Sequence, residues 1–147
     1  GSLHGFQKEF GVQVIAHELD ADEIEGDGGI AAKAYGVSYT SCHVDLRIKD
    51  SEETLQLGKY ELNMIHIPGH TPGSIAAYVD IDKKRVLFGQ DIHGPYYPEW
   101  GADPAQAKLS LQKLIDLKAD ILCEGHFGIY QPASEVKRYI QQYVDSL

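Results

Sequence analysis

The sequence is short of the residues that would tie it to an oxidising compartment, a nucleic acid or a membrane. Its two cysteines, Cys42 and Cys123, lie far apart and share no motif. That argues against a disulfide scaffold and suits a reduced, intracellular protein. Lysine and arginine total 13 against 22 aspartates and glutamates, a net charge of -9. With no basic cluster anywhere, a phosphate backbone would be repelled, so no nucleic-acid partner is expected. The acidic stretch that contains Asp20, Asp22, Glu23 and Glu25 reads as solvated surface. No apolar run approaches the ~20 residues of a membrane span, and no charged-then-apolar signal segment opens the chain. Cytoplasm is the expected location, with no membrane partner. An initiator methionine is also absent: the chain opens on Gly1-Ser2, either native or a cloning scar, and the expectation is that something upstream was removed or never included.

What is present suits one ordinary domain. The 147 residues are 43% hydrophobic and 24% charged, enough to bury a core and too few for two, so a single domain over 1–147 is expected. Leu3, Phe6 and Phe10 fall on one helical face, closed by Gly11. Val12 to Ala16 reads as a strand, 20–34 as helical pieces around the Gly26–Gly29 break, and 35–50 as loop with one edge strand near 44–48. From residue 54 the pattern turns to β, with strands at Thr54–Leu57, Tyr60–Ile67, Ile75–Val79 and Arg85–Phe88. Asp103-Pro104-Ala105-Gln106 supplies a helix cap, a first-turn proline and a third-position glutamine, which predicts a helix over 104–118. A short strand at Ile121–Cys123 and a helical stripe of Val136, Ile140, Tyr143, Val144 and Leu147 complete the chain. This order is that of an α/β (α+β) protein with helices on the outside of a sheet.

Three segments carry residues suited to chemistry: Pro68-Gly69-His70-Thr71-Pro72-Gly73-Ser74, Phe88-Gly89-Gln90-Asp91 and Cys123-Glu124-Gly125-His126-Phe127-Gly128. Each places a potential metal ligand just after a strand and beside glycine, where a loop can turn the side chain inward. Two imidazoles and a carboxylate suit Zn²⁺ or iron. Taken singly, each also has a plain structural reading: a histidine after glycine is commonly a loop residue, and an aspartate after a strand commonly caps a turn. His93 can line a pocket, support a ligand or sit exposed in its loop. Tyr96, Tyr97 and Trp100, interleaved with Pro95 and Pro98, read as a packed aromatic loop. His66 reads as a packed or paired strand histidine and Cys123 as a small buried hydrophobe. Tyr130 and Glu124 are candidates for groups that hold the ligands in place.

Gly69-His70-Thr71-Pro72-Gly73-Ser74 resembles the signature loop of the metallo-β-lactamase superfamily, Phe88-Gly89-Gln90-Asp91 resembles its following strand end, and Gly125-His126 stands where its last ligand histidine stands. The resemblance spans about 54–131, with a weaker helix and strand fit at 3–16. It implies that His70 is similar to the third histidine of a first metal site, Asp91 to the carboxylate bridging both metals, and His126 to the histidine of the second. The fold implied is a partial αβ/βα sandwich. The function implied is hydrolysis of an ester, thioester, lactone or lactam in a small-molecule substrate by a metal-activated water, with two zinc ions, or iron, per complete site.

The family's remaining ligands come from a His-x-His-x-Asp-His segment, and His4, His17 and His43 do not form one. The family motif is followed by a glycine, a small residue and a short helix, as this chain opens, so the chain is expected to start just past it. Its metal site is then incomplete, the chain alone inactive, and a homodimer or strand exchange would cover exposed sheet edge. Thioesterases of the glyoxalase II kind carry a histidine after Thr-Pro-Gly where Ser74 stands here, so that branch is not favoured. Two other readings stay open: a non-catalytic fold remnant that associates or binds one metal, and the redox use of the fold with iron.

Overall fold

A computed structural model describes residues 2–147, apart from the side chains of Ile30, Ala31 and Trp100. It divides into two compact units, one up to Lys49 and one from Asp50 to Leu147.

In the first unit, α1 (Leu3–Phe10) ends on Gly11, whose φ of +60° lets its N–H reach the Gln7 carbonyl. Its apolar face is exposed, with Phe6 and Phe10 rings 5.8 Å apart. Strand β1 (Ile15–His17) begins three residues later than the sequence pattern implies. Val14 is instead held by Asp45, whose carboxylate accepts the Val14 N–H at 2.8 Å. β1 pairs in parallel with β2 (Leu46–Ile48), and α2 (Glu18–Glu25) and α3 (Gly29–Ala34) lie between them in sequence. Val14, Ala16, Ala21, Cys42 and Val44 form the core of this unit. Glu25 braces it: its carboxylate accepts the Val44 N–H and pairs with Arg47 and His43. The Val44 amide, Arg47 and His43 together pull its carboxyl down from the ordinary 4.5 to about 2.

The second unit is a six-stranded sheet in sequence order, β3 (Glu52–Leu57), β4 (Tyr60–His66), β5 (Ile75–Ile81), β6 (Lys84–Phe88), β7 (Ile121–Cys123) and β8 (Ile129–Tyr130). All neighbours are antiparallel except β6 and β7. The β5–β6 turn is tighter than the sequence suggests, because Asp82 and Lys83 both take positive φ and close a two-residue hairpin. Strand β8 carries no pattern of its own in two residues. Helix α4 (Pro104–Asp116) joins β6 to β7 as a parallel pair requires, and α5 (Ala133–Ser146) packs on α4 and on β7 and β8. Asp103 caps α4 through the Gln106 N–H, and Gln106 reaches back to Asp103. Ile65, Ala76, Leu87 and Leu122 from the sheet meet Leu111, Leu114, Val136 and Ile140 from the helices in one core. This is a mixed α/β fold. No helix of the described residues is long and apolar enough to cross a membrane.

Candidate functional site

Strands β4 and β6 both run antiparallel to β5, and β7 runs parallel to β6, so the carboxyl ends of β4, β6 and β7 lie along one edge of the sheet. The loops leaving those ends carry His70, Asp91 and His126. Sequence separation is thereby cancelled by strand order, and the three side chains meet. His126 Nε2 lies 3.0 Å from Asp91 Oδ1, and His70 Nε2 lies 3.7 Å from Asp91 Oδ2. One carboxylate therefore faces an imidazole on each of its two oxygens. His70 and Asp91 are both 22% exposed, whereas His126 is 60% exposed.

Each loop is held by contacts that the residue types dictate. Gly69 lies against α4 so closely that a Cβ there would meet Ala107 Cα at 2.4 Å, and its φ of +153° excludes most side chains. Its carbonyl accepts the Asp103 N–H, and Pro68 O accepts the Ser110 hydroxyl, so His70 is presented from a fixed base. Ser74 is buried and binds the Thr71 amide and hydroxyl at 2.9 and 2.8 Å, closing the same loop. Nδ1 of His70 sits 2.8 Å from the Pro95 carbonyl. A carbonyl only accepts, so Nδ1 carries the hydrogen, and on the neutral ring the lone pair is left at Nε2, toward Asp91.

Asp91 adopts a φ of +44°, an unusual conformation for a residue with a side chain. The Gly94 N–H and the Tyr96 hydroxyl close the turn around it, the latter donating to Ile92 O at 2.8 Å and Asp91 O at 3.3 Å. Burial, then the Asp91 charge, pushes the Tyr96 phenol up from its ordinary value. Gln90 adds an N–H to Asp91 Oδ2 at 3.0 Å.

The third loop is organised by Glu124, which is fully buried. Its Oε2 accepts the N–H groups of His126 and Phe127, both at 2.9 Å, and its Oε1 lies 2.9 Å from His93 Nδ1. Burial pushes this carboxyl up, but the Phe127 amide, the His93 ring and the His126 amide outweigh it, and the net direction is down.

The remaining sequence candidates fall on both sides of this cluster. His93 lies inside it, its ring edge-on to His126 at 5.0 Å and to Phe127 at 4.7 Å. The Tyr130 ring stacks on Tyr139 at 3.9 Å and its hydroxyl faces Phe127 O, in the loop that carries His126. His66 is paired with Pro72 O at 2.8 Å, and Cys123 is half-buried rather than enclosed. The Trp100 side chain lies outside the described residues. The hydroxyl of Tyr96 takes a role that packing alone does not suggest, and the signal for it was its place five residues after Asp91 in a proline-rich turn. Among the described residues, no group of three or more His, Cys, Asp or Glu side chains is arranged to hold a metal ion by itself.

Comparison with known proteins places the chain in a family. The family model described as the metallo-beta-lactamase superfamily matches residues 1–126. A hydroxyacylglutathione hydrolase of Brucella anthropi is 31% identical over 121 residues, covering 75% of this chain and 44% of that protein. Among solved structures, a metallo-beta-lactamase from Cronobacter sakazakii superposes with a TM-score of 0.78 at 20% identity, covering 99% of this chain and 67% of that one. A subclass B3 metallo-beta-lactamase of Bradyrhizobium japonicum gives 0.73 at 19% identity, covering 99% and 65%. The chain thus spans less than half the length of the curated relative it matches.

Proposed function

Since this chain belongs to the metallo-β-lactamase superfamily, we propose that it serves a metal-dependent hydrolase of an ester, thioester, lactone or lactam, with His70, Asp91 and His126 as its share of a two-metal centre. The observation that carries this reading is the two-sided use of Asp91, with His126 Nε2 on one oxygen and His70 Nε2 on the other. On the His70 side, a ring lone pair and a carboxylate oxygen face each other across 3.7 Å, too far for a hydrogen bond. Two electron-rich atoms so placed suit a cation between them, and zinc bonds nitrogen and oxygen at about 2.0–2.2 Å.

The donor chemistry fits zinc, but the donor count covers only part of each position. His70 and Asp91 serve one, Asp91 and His126 the other, whereas a catalytic zinc takes three protein ligands. The family's other donors belong to the His-x-His-x-Asp-His segment, which this sequence does not contain. Zinc held by these residues and the missing donors would supply a nucleophilic water at neutral pH and polarise the scissile carbonyl. The chain's own contribution is geometric. The Pro95 carbonyl keeps the His70 hydrogen on Nδ1 and its lone pair inward. The turn closed by Gly94 and Tyr96 holds Asp91 in a conformation that offers an oxygen to each side. The 31%-identical relative acts, by its name, on hydroxyacylglutathione, so an acylglutathione thioester joins a lactone and a lactam in the panel of substrates, although Ser74 stands where thioesterases of the glyoxalase II kind carry a histidine.

The test uses a form of the protein in which a His-x-His-x-Asp-His segment is supplied ahead of α1. Asp91→Asn should leave the circular dichroism spectrum unchanged and lower kcat/KM by more than about 100-fold, since groups that merely support a ligand already cost 10–100-fold. Full activity in that variant would sink the reading.

A further inference from the structure

Of the three side chains at the sheet edge, His126 is the one that packing does not secure. Its ring is 60% exposed, and it rises from a loop with Gly125 at φ +105° and Gly128 at φ +113°. A Cβ at either glycine would meet nothing within 4 Å, so the glycines are there for their backbone angles and leave the loop pliable. Yet the ring sits 3.0 Å from Asp91. Something other than bulk must hold it.

We propose that Glu124 is a positioning residue whose carboxylate sets the place and direction of the His126 imidazole. Its role in catalysis rests on the metal reading above; its geometry does not. Each of its three hydrogen bonds ends on something that fixes His126. Two hold backbone: the N–H groups of His126 and Phe127 turn inward onto Oε2, where an unpaired buried amide would be costly. The third holds a wall: Oε1 meets His93 Nδ1 at 2.9 Å, and the His93 ring stands edge-on to His126 at 5.0 Å. A carboxylate only accepts, so His93 carries its hydrogen on Nδ1. Burying a carboxylate completely is unfavourable unless its oxygens are met by donors, and here all three donors belong to the site loops.

Two substitutions separate this role from mere filling of space. Glu124→Gln preserves shape: its amide oxygen can take both loop N–H groups, while its NH₂ faces His93 and forces that ring onto the Nε2–H tautomer. Glu124→Ala removes all three contacts. The readouts are the imidazole ¹⁵N signals and amide hydrogen exchange of the metal-free chain, followed by a zinc titration of the same samples. In the wild type, His93 should be the Nδ1–H tautomer and His126 should show one hydrogen-bonded state.

In Glu124→Ala, the His126 and Phe127 amides should exchange about 10- to 100-fold faster, and the His126 ring signals should collapse to a tautomeric average. The amides of β4 and β5 should not change. In Glu124→Gln, His93 should invert its tautomer, His126 should keep its wild-type signals, and exchange at the two amides should rise only about fivefold. Should Glu124→Ala fail to fold, Glu124→Gln decides alone. Wild-type His126 signals in a folded Glu124→Ala chain, or an unchanged His93 tautomer in Glu124→Gln, would overturn the proposal. Zinc should then shift the His126 Nε2 signal in the wild type and need at least about tenfold more metal to do so in Glu124→Ala. A wild-type ring that ignores zinc would remove the metal reading while leaving the positioning result intact.

Discussion

Gly69 shows how one residue without a side chain controls one with a function. Its φ and its contact with Ala107 leave no room for a Cβ, and it immediately precedes His70. Gly69→Ala should therefore cost about 2–3 kcal/mol or more in urea unfolding, by overpacking against helix backbone and by backbone strain. It should also shift the His70 ring signals, because the whole loop must move off α4. Glu25 makes a different point, about charge. Its carboxyl is depressed in the folded chain to about 2, so the stabilisation it gives is complete above the ordinary value of 4.5 and is lost as pH falls from there toward 2. Hydrogen exchange at the Val44 amide, corrected for its intrinsic rate, should lose protection across that window. In Glu25→Gln the protection should be lower and flat.

Among the elements, α4 is the one on which the site depends at a distance. It joins β6 to β7, and so brings the Asp91 loop beside the His126 loop. It also braces the His70 loop through Ala107, Ser110 and the Asp103 amide. Its buried anchor is Leu114, with no exposed surface. Leu114→Ala should destabilise the chain by about 2–5 kcal/mol, the range for a large-to-small change in a closed core, measured as a lower urea midpoint at unchanged slope. The end helix α5 packs on α4 and on β7 and β8, so it protects the same core.

For the molecule as a whole, the donor inventory sets the expected metal load. On the two-metal reading proposed above, three donors shared between two positions predict well under two zinc ions per chain by elemental analysis after dialysis, and more once further ligands are supplied. A full load of two on this chain would mean that donors other than His70, Asp91 and His126 take part.

The sequence by itself determined most of the elements, though not β8 or the start of β1, and the identity of the candidate ligands. Its information there is local: a cap and a proline start α4, a glycine ends α1, and alternation marks β3 to β6, each within a few residues of its effect. It also identified the family, because Gly-His-Thr-Pro-Gly-Ser and Gly-Gln-Asp are contiguous words. Pairing decided the rest. That β7 lies parallel beside β6, that Glu124 reaches His93 across 31 positions and that Pro68 O meets Ser110 across 42 depend on contacts between segments far apart in the chain. Such contacts form only when a shared core is buried, and no local pattern of residues records which partner a strand end will meet.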